Sequence, residues 1–171
     1  DPQLAGGAAP DRLREVLDYT NRMAAAWKRV LELNRGRPAL FNALVDGTVY
    51  LGVLNALRGT REGAEYFERL VEEMEYKAAH RLGTIQDEKY RLLFVGVPCY
   101  PIFRRFSEMF TELGGTFVNS TYLWFASGGS NTGYQSRLDD PIEGLAEGLL
   151  VSMRDSMDSM FFNTQPLLGM Y

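Results

Sequence analysis

Apolar side chains recur at helical spacing through the first half of the chain. Between residues 10 and 36, and again between residues 60 and 83, they lie three or four positions apart, which is typical of amphipathic helices. We expect Thr60 to cap the helix that follows it. Residues 38–57 are also apolar, but the two glycines inside this stretch predict a broken or kinked helix. We therefore expect a helical subdomain over residues 10–86, preceded by a Gly/Ala-rich segment over residues 1–9 that is disordered or linker-like.

The second half changes to a strand–helix–strand pattern. Residues 92–97 form a short apolar run of strand length, and residues 102–113 repeat apolar side chains at helical spacing. Gly114-Gly115 then ends the helix, and residues 116–118 resume strand character. The predicted fold class is α/β: the helical subdomain is followed, over residues 87–171, by part of a Rossmann-like parallel β-α-β sheet.

A Gly/Ser/Asn-rich stretch and one more helix follow this unit. Residues 127–133 have a composition that could cradle a phosphate, but they lack the Lys-Ser/Thr ending of a Walker loop. We interpret them as a flexible surface or lid loop. Asp139-Asp140-Pro141 is a strong helix start. The apolar stripe predicted to be buried along that helix comprises Ile142, Leu145, Leu149, Met153, Met157 and Met160 or Phe161.

Composition and charge exclude several classes of protein. Of the 171 residues, 46% are apolar and 23% charged, which is a globular composition. The net charge of −4 argues against a nucleic-acid-binding surface. No apolar run approaches the roughly 18 residues of a membrane span, so we expect no membrane partner.

The single cysteine and the single histidine limit the chemistry further. Cys99 cannot form an internal disulfide, which favours a reducing compartment. Cys99 and His80 together cannot supply a closed zinc or iron–sulfur site by the usual ligand counts. We expect His80, late in its helix, to face solvent. Because the chain lacks an initiator Met and ends just after a helix, we also expect a fragment of a longer protein.

The loop after the first strand is the first candidate site. Pro98, Cys99 and Tyr100 lie where that strand ends, and ligands of open α/β sheets bind at the carboxyl ends of strands. A helix N-terminus next to Cys99 could stabilise its thiolate, which could then bind a metal or act as a nucleophile. The alternative is an inert, buried cysteine in a tight loop. We favour a third interpretation, in which this loop lines a substrate site.

The segment after the second strand is the other candidate. Ser120, Thr121 and Tyr122 follow that strand, so parallel pairing would place them beside the Cys99 loop. Their hydroxyl groups could bind a ligand, or they could simply cap a helix and form a turn. Trp124, with the two tyrosines Tyr100 and Tyr122, could wall a dry site, although aromatic residues equally build cores.

The sequences of these segments resemble those of a known enzyme family. Arg91-Leu-Leu-Phe-Val-Gly-Val-Pro-Cys-Tyr-Pro101, Gly114-Gly-Thr-Phe-Val-Asn-Ser-Thr-Tyr122 and Asp140-Pro-Ile-Glu-Gly-Leu-Ala146 are similar to the cluster-carrying subunits of benzoyl-CoA reductases and 2-hydroxyacyl-CoA dehydratases. The resemblance covers about residues 10–165. It implies a cytoplasmic subunit of an oxygen-sensitive enzyme from an anaerobic bacterium.

The resemblance also implies a cofactor and partners. Subunits of this family hold a 4Fe-4S cluster and contact an acyl-CoA thioester, a homologous second subunit and an ATP-hydrolysing activator that delivers single electrons. In the reductase branch the aromatic ring of the substrate is reduced, and in the dehydratase branch a ketyl radical allows water to leave. The family's cluster ligands are cysteines mostly outside the matching region. We therefore expect no cluster on this chain alone, and Cys99 is the one residue of the chain that could serve as a cluster ligand.

Three functions follow in order of preference. The first is part of a benzoyl-CoA reductase-type subunit, and the second is the dehydratase equivalent. The third is a non-catalytic interaction or scaffold module, in which the Cys99 and Tyr122 loops are only structural. A small flavin- or nucleotide-binding domain is a further possibility that a binding assay would remove.

Overall fold

Six helices and two strands succeed one another in the described part of the chain. The computed structural model describes residues 8–157, with side chains described for residues 10–154. Within that range the order is α1 (Ala8–Leu33), α2 (Asp46–Ala56), α3 (Arg61–Ala79), β1 (Tyr90–Phe94), α4 (Phe103–Thr111), β2 (Gly115–Ser120), α5 (Thr121–Ala126) and α6 (Pro141–Met157). A short 3-10 turn, Ser130–Thr132, lies between α5 and α6. The chain therefore has the predicted order of helices followed by a β-α-β unit.

The β-α-β unit is parallel, as predicted. β1 pairs with β2 from Tyr90 opposite Gly115 to Phe94 opposite Ser120, with an irregularity between Leu92 and Leu93. All of β2 is buried, because α4 and the helical half of the chain cover it. Both strands thus end at the same edge of the sheet, next to each other.

One hydrophobic core joins the two halves of the chain. α1 packs along α3, and the aromatic rings of Trp27, Phe41 and Phe67 meet between them, with the Trp27 and Phe67 centroids 5.6 Å apart. Phe117 of β2 and Trp124 of α5 belong to the same buried cluster. The sheet is therefore held directly against the helices. The division at residue 86 stays a prediction.

Asn34, at the end of α1, connects this helix to the sheet. Its side chain is fully buried. Its Nδ2 donates to the Val118 carbonyl at 3.0 Å, and its Oδ1 accepts from the backbone N–H groups of Leu40 at 2.7 Å and Phe41 at 3.1 Å. Just beyond, the Ala43 N–H donates to the Phe117 carbonyl at 2.7 Å. The segment after α1 is thereby fixed along the outer side of β2.

A buried ion pair fixes the start of β1. Arg91 and Glu88 lie 2.7 Å apart, and their side chains are 7% and 6% exposed. Arg91 also donates to the carbonyls of Asn34 and Gly36, while Glu88 accepts from the Ala39 N–H. Both charges are therefore hydrogen-bonded, which a buried pair requires.

Two helix starts that were predicted from capping residues are confirmed. The Thr60 hydroxyl accepts from the Gly63 N–H at the start of α3, and Asp140 accepts from the Glu143 N–H at the start of α6. His80 is exposed at the end of α3, as expected. The predicted linker over residues 1–9 lies outside the described residues, except that residues 8 and 9 already belong to α1.

The helix predicted from Pro38 is wrong over its first turns. Residues 38–45 are turns and irregular backbone, and α2 begins only at Asp46. The N–H groups of Leu40 and Phe41 bind the Asn34 side chain rather than helical carbonyls. Because the buried Asn34 side chain accepts these N–H groups, the segment takes an irregular backbone instead of a helix.

Two expectations about exposure are also wrong. The 127–133 stretch is not simply a surface loop, since Ser127, Ser130 and Asn131 are buried and the stretch packs against α1. The α6 stripe predicted to be buried is exposed, with Ile142 at 73%, Leu149 at 60% and Met153 at 56%. Met160 and Phe161 lie outside the described residues, and so does the side chain of Met157. No described helix combines the length and the apolar composition needed to cross a bilayer.

Candidate functional site

The carboxyl ends of β1 and β2 bring the two predicted segments together. We call the loop 95–102 after β1 and residues 120–122 at the start of α5 the carboxyl-edge site. Gly96 has φ +125°, which a residue with a side chain rarely adopts. Its N–H donates to Thr121 Oγ1 at 2.9 Å. This bond ties the loop directly to the start of α5, in agreement with the predicted proximity.

The Ser120 hydroxyl caps helix α5 and is not left free for a ligand. Its Oγ accepts from the Leu123 N–H at 2.9 Å, so it is the N-cap of α5. Its own N–H donates to Asn119 Oδ1. Of the three hydroxyl groups that could bind a ligand, the Ser120 hydroxyl already accepts from a backbone N–H and the Thr121 hydroxyl already accepts from the Gly96 N–H, which leaves that of Tyr122.

Tyr100 and Tyr122 meet across the site. Their ring centroids are 6.3 Å apart at an interplanar angle of 79°, an edge-to-face contact, and Phe103 lies 6.2 Å from Tyr100 on the other side. A hydrogen bond with Tyr122, with a further contribution from burial, raises the pKa of Tyr100 to about 12. Tyr100 therefore keeps its proton through the physiological range.

Pro98, Cys99 and Trp124 have different surroundings. Cys99 is exposed, so the expectation of a buried cysteine is wrong, whereas Pro98, its neighbour in the chain, is buried. Trp124 is buried in the core, two positions beyond Tyr122, and residues at that spacing do not share a helix face. Its indole N–H has no acceptor among residues 8–157. The structure therefore places the loop that carries Cys99 and Tyr100 next to Thr121 and Tyr122, and it places Trp124 in the buried core.

The loop also carries apolar residues that the sequence analysis assigned to the strand. Val95 and Val97 were predicted inside a strand over 92–97, but β1 ends at Phe94. Both valines are exposed, at 70% and 59%, and Ile102 is exposed as well. Together with the tyrosines they give the carboxyl-edge site an apolar, aromatic surface. Such a surface suits an apolar or aromatic ligand.

The donor set does not fit an iron–sulfur cluster. A 4Fe-4S cluster takes about four cysteine thiolates, and the described part of the chain contains only Cys99. No group of three or more His, Cys, Asp or Glu side chains that could hold a metal occurs among the described residues. We therefore assign no residue of the described range to a cluster.

Fold and site together define the class: an α/β protein whose parallel strands end in an apolar, tyrosine-containing edge. The family described as 2-hydroxyglutaryl-CoA dehydratase, D-component, matches residues 7–164. The chain therefore belongs to this family, as the resemblance of its motifs implied. No solved structure matches the chain significantly.

The curated relatives come from both branches of this chemistry. A benzoyl-CoA reductase subunit from Thauera aromatica is 33% identical over 144 residues, which are 80% of this chain and 33% of that protein. The alpha subunit of (R)-2-hydroxyglutaryl-CoA dehydratase from Acidaminococcus fermentans is 30% identical over 68% of this chain and 24% of that protein. The alpha subunit of (R)-phenyllactyl-CoA dehydratase from Clostridium sporogenes is 27% identical over 66% of this chain and 28% of that protein. The chain thus spans a third or less of each of these relatives.

Proposed function

We propose that the chain is part of a benzoyl-CoA reductase-type subunit. The reaction would be the ATP-driven, single-electron reduction of an aromatic acyl-CoA. The observation that carries this choice is the 33% identity to a benzoyl-CoA reductase subunit over 80% of the chain. The dehydratase relatives are 30% and 27% identical over shorter stretches, which keeps 2-hydroxyacyl-CoA dehydration as the second candidate.

The proposal includes a cofactor and partners that lie beyond the described residues. The electrons would come from a 4Fe-4S cluster whose ligands are outside the range described. They would be supplied by an ATP-hydrolysing activator, in a cytoplasmic complex with a homologous second subunit. Support comes from the names of the relatives, which are subunits of acyl-CoA enzymes.

In this proposal the carboxyl-edge site contacts the acyl group. Tyr100 and Tyr122 meet edge to face, so their rings could pack around a flat aromatic acyl group in the same way. A tyrosine hydroxyl can donate a hydrogen bond, so the Tyr122 hydroxyl could donate to a thioester carbonyl. The exposed Val95 and Val97 would keep water away from the ring on the loop side. Cys99 would line the site without reacting.

The test uses the longer protein that contains this chain, purified without oxygen together with its partner subunit and activator. Iron, sulfide and activator-dependent reduction of benzoyl-CoA are measured. We expect a full iron–sulfur complement and ring reduction. An active complex that dehydrates a 2-hydroxyacyl-CoA and leaves benzoyl-CoA unchanged would select the dehydratase candidate. A complex without iron and without either activity would support the scaffold alternative.

A substitution in the same complex tests the site. Tyr122→Phe removes the hydroxyl that faces the carbonyl but keeps the ring, so kcat/KM should fall by about tenfold, the effect of one lost hydrogen bond. Tyr76→Phe is the matched control, because Tyr76 is exposed on α3, far along the chain from the site. Equal kcat/KM for the two variants would remove Tyr122 from the proposed site.

A further inference from the structure

A concave region lies away from the carboxyl-edge site, between α1, α6 and the 127–133 stretch. We call it the α1–α6 groove, and its volume is about 600 Å³. Volumes of roughly 300–1,000 Å³ are typical of small-molecule sites. Its walls are largely apolar, with one cation among the described residues, and include Leu13, Val16, Leu17, Leu145, Leu149 and Arg58.

Within residues 10–154, Arg58 is the one charged side chain that lines this groove. Its Nη1 donates to Ser130 Oγ at 2.8 Å and its Nη2 donates to the Ser127 carbonyl at 2.9 Å. A guanidinium has five N–H donors. The remaining donors of Arg58 have no acceptor among the residues described. The head group is therefore held in place while part of its hydrogen-bonding capacity is unused.

No carboxylate in the described structure compensates the charge of Arg58. Burial alone lowers its pKa, and no acidic side chain of the described range pairs with it. Arginine nevertheless remains charged in proteins, and a partly desolvated charge without a counter-charge is unfavourable. By contrast, Arg22 on α1 forms an ion pair with Glu68, and Arg61 on α3 forms one with Glu65. An oxyanion in the groove would supply the negative charge that no described carboxylate gives to Arg58.

The glycine stretch holds this arrangement in shape. Gly128 and Gly129 have φ values of +57° and +81°, which favour glycine. A Cβ on Gly129 would lie 2.5 Å from Ser152 Cβ of α6, so only glycine fits there. The stretch therefore presents Ser127 and Ser130 to Arg58 while it packs against the helix that forms the opposite wall.

We propose that the α1–α6 groove binds an oxyanion carried on a flexible chain, with Arg58 as the group that binds the anion. The planar guanidinium suits the paired oxygens of a carboxylate or a phosphate. Two small molecules carry this chemistry: an aliphatic carboxylate, whose chain is apolar, and the phosphopantetheine arm of an acyl-CoA, whose chain also contains amide groups. The second would link the groove to the proposed function, since Arg58 contacts the carboxyl end of α5 and Tyr122 lies at its other end. The six residues of α5 span about 9 Å.

A purely structural role makes a different prediction. Arg58 also lies at the C-terminus of α5, where a cation stabilises the helix dipole. If that is its whole role, its loss lowers the midpoint of thermal unfolding and leaves ligand binding unchanged. Anion binding and thermal stability must therefore be measured together.

The experiment titrates the 171-residue chain with three probes, sodium octanoate, its neutral analogue octanamide and 4′-phosphopantetheine, by calorimetry. We expect at least one anionic probe to bind more tightly than octanamide. Arg58→Gln should weaken that anion by about tenfold or more, the effect of losing a charge-assisted hydrogen bond. Arg69→Gln, which removes the same charge from an exposed position on α3, should leave the affinity unchanged.

The outcomes separate the possibilities. Binding of 4′-phosphopantetheine but not octanoate identifies the CoA arm as the source of the anion, and the reverse identifies a carboxylate. An anion that binds no better than octanamide, or equally well to Arg58→Gln, overturns the proposal. If Arg58→Gln does not fold, the NMR signal of the wild-type Arg58 Nε–H decides: a shift on titration supports the proposal, and a constant signal overturns it. Because the readout is binding, the result does not depend on the enzymatic activity of the complex.

Discussion

Replacement of Asn34 by alanine tests how the helical half positions the sheet. The fully buried Asn34 amide bonds the Val118 carbonyl and the N–H groups of Leu40 and Phe41. Alanine leaves these three buried backbone groups without partners, each at about 1–3 kcal/mol. Because the segment relaxes and takes up water in part, we expect a loss of about 3–5 kcal/mol in the free energy of unfolding.

The assay is urea unfolding followed by tryptophan fluorescence, which reports on the buried Trp27 and Trp124. Asn55→Ala is the matched control: Asn55 is exposed and donates to the Leu51 and Ala126 carbonyls, so its loss should cost less than about 1 kcal/mol. If Asn34→Ala cost no more than Asn55→Ala, Asn34 would not connect α1 to the sheet as the structure indicates.

Two further substitutions test the buried ion pair at the start of β1 and the tyrosine pair at the carboxyl-edge site. Glu88→Gln removes the anionic partner of the buried Arg91 and should lower the free energy of unfolding by about 3–5 kcal/mol, measured by urea unfolding. Tyr122→Phe should lower the pKa of Tyr100 from about 12 toward its ordinary value near 10, measured by phenolate absorbance. Because the folded state raises this pKa, the contribution of Tyr100 to stability is complete below about pH 10 and is lost as pH rises toward 12. The wild type should therefore lose more stability than Tyr122→Phe across that range.

Controls for these two changes come from the surface. Glu75→Gln breaks a half-exposed pair with Arg29 and should cost less than about 1 kcal/mol. A similar cost for Glu88→Gln would contradict the description of a buried pair. An unchanged Tyr100 titration in Tyr122→Phe would show that the two hydroxyls are not hydrogen-bonded.

The β-α-β unit could be predicted because its signals are local. Residues 92–97 and 116–118 are apolar runs of strand length, and Gly114-Gly115 separates helix from strand. Thr60 and Asp140 were identified as helix starts for the same reason, since a cap depends on its nearest neighbours. The proximity of Tyr100 and Tyr122 then followed from parallel pairing alone.

The errors arise where contacts distant in sequence decide the structure. Asn34 binds the N–H groups after Pro38, so a stretch with helical spacing is not helical. Ser130 and Asn131 look like loop residues, but they are buried against α1. The apolar stripe of α6 follows the rule for a buried face, yet Ile142 and Leu149 are exposed in the described structure.

The α1–α6 groove could not be predicted for a related reason. Arg58, Ser130 and Leu149 lie far apart along the chain, and nothing in the sequence indicates that they line one cavity. Only the Gly/Ser composition of the 127–133 stretch gave a signal. Because the stretch lacks the Lys-Ser/Thr ending of a Walker loop, the sequence analysis did not favour an anion site there. In the structure the cation is Arg58, which follows α2 and does not belong to the 127–133 stretch.

The central claim is that the carboxyl ends of β1 and β2 contact the acyl group of an acyl-CoA. The most direct measurement is photoaffinity labelling of the oxygen-free complex with an aryl-azide analogue of benzoyl-CoA, followed by mass spectrometry of the labelled peptides. We expect label within residues 95–103 and 121–125, reduced by excess benzoyl-CoA. Label that competes with benzoyl-CoA but falls entirely outside these two segments would contradict the account.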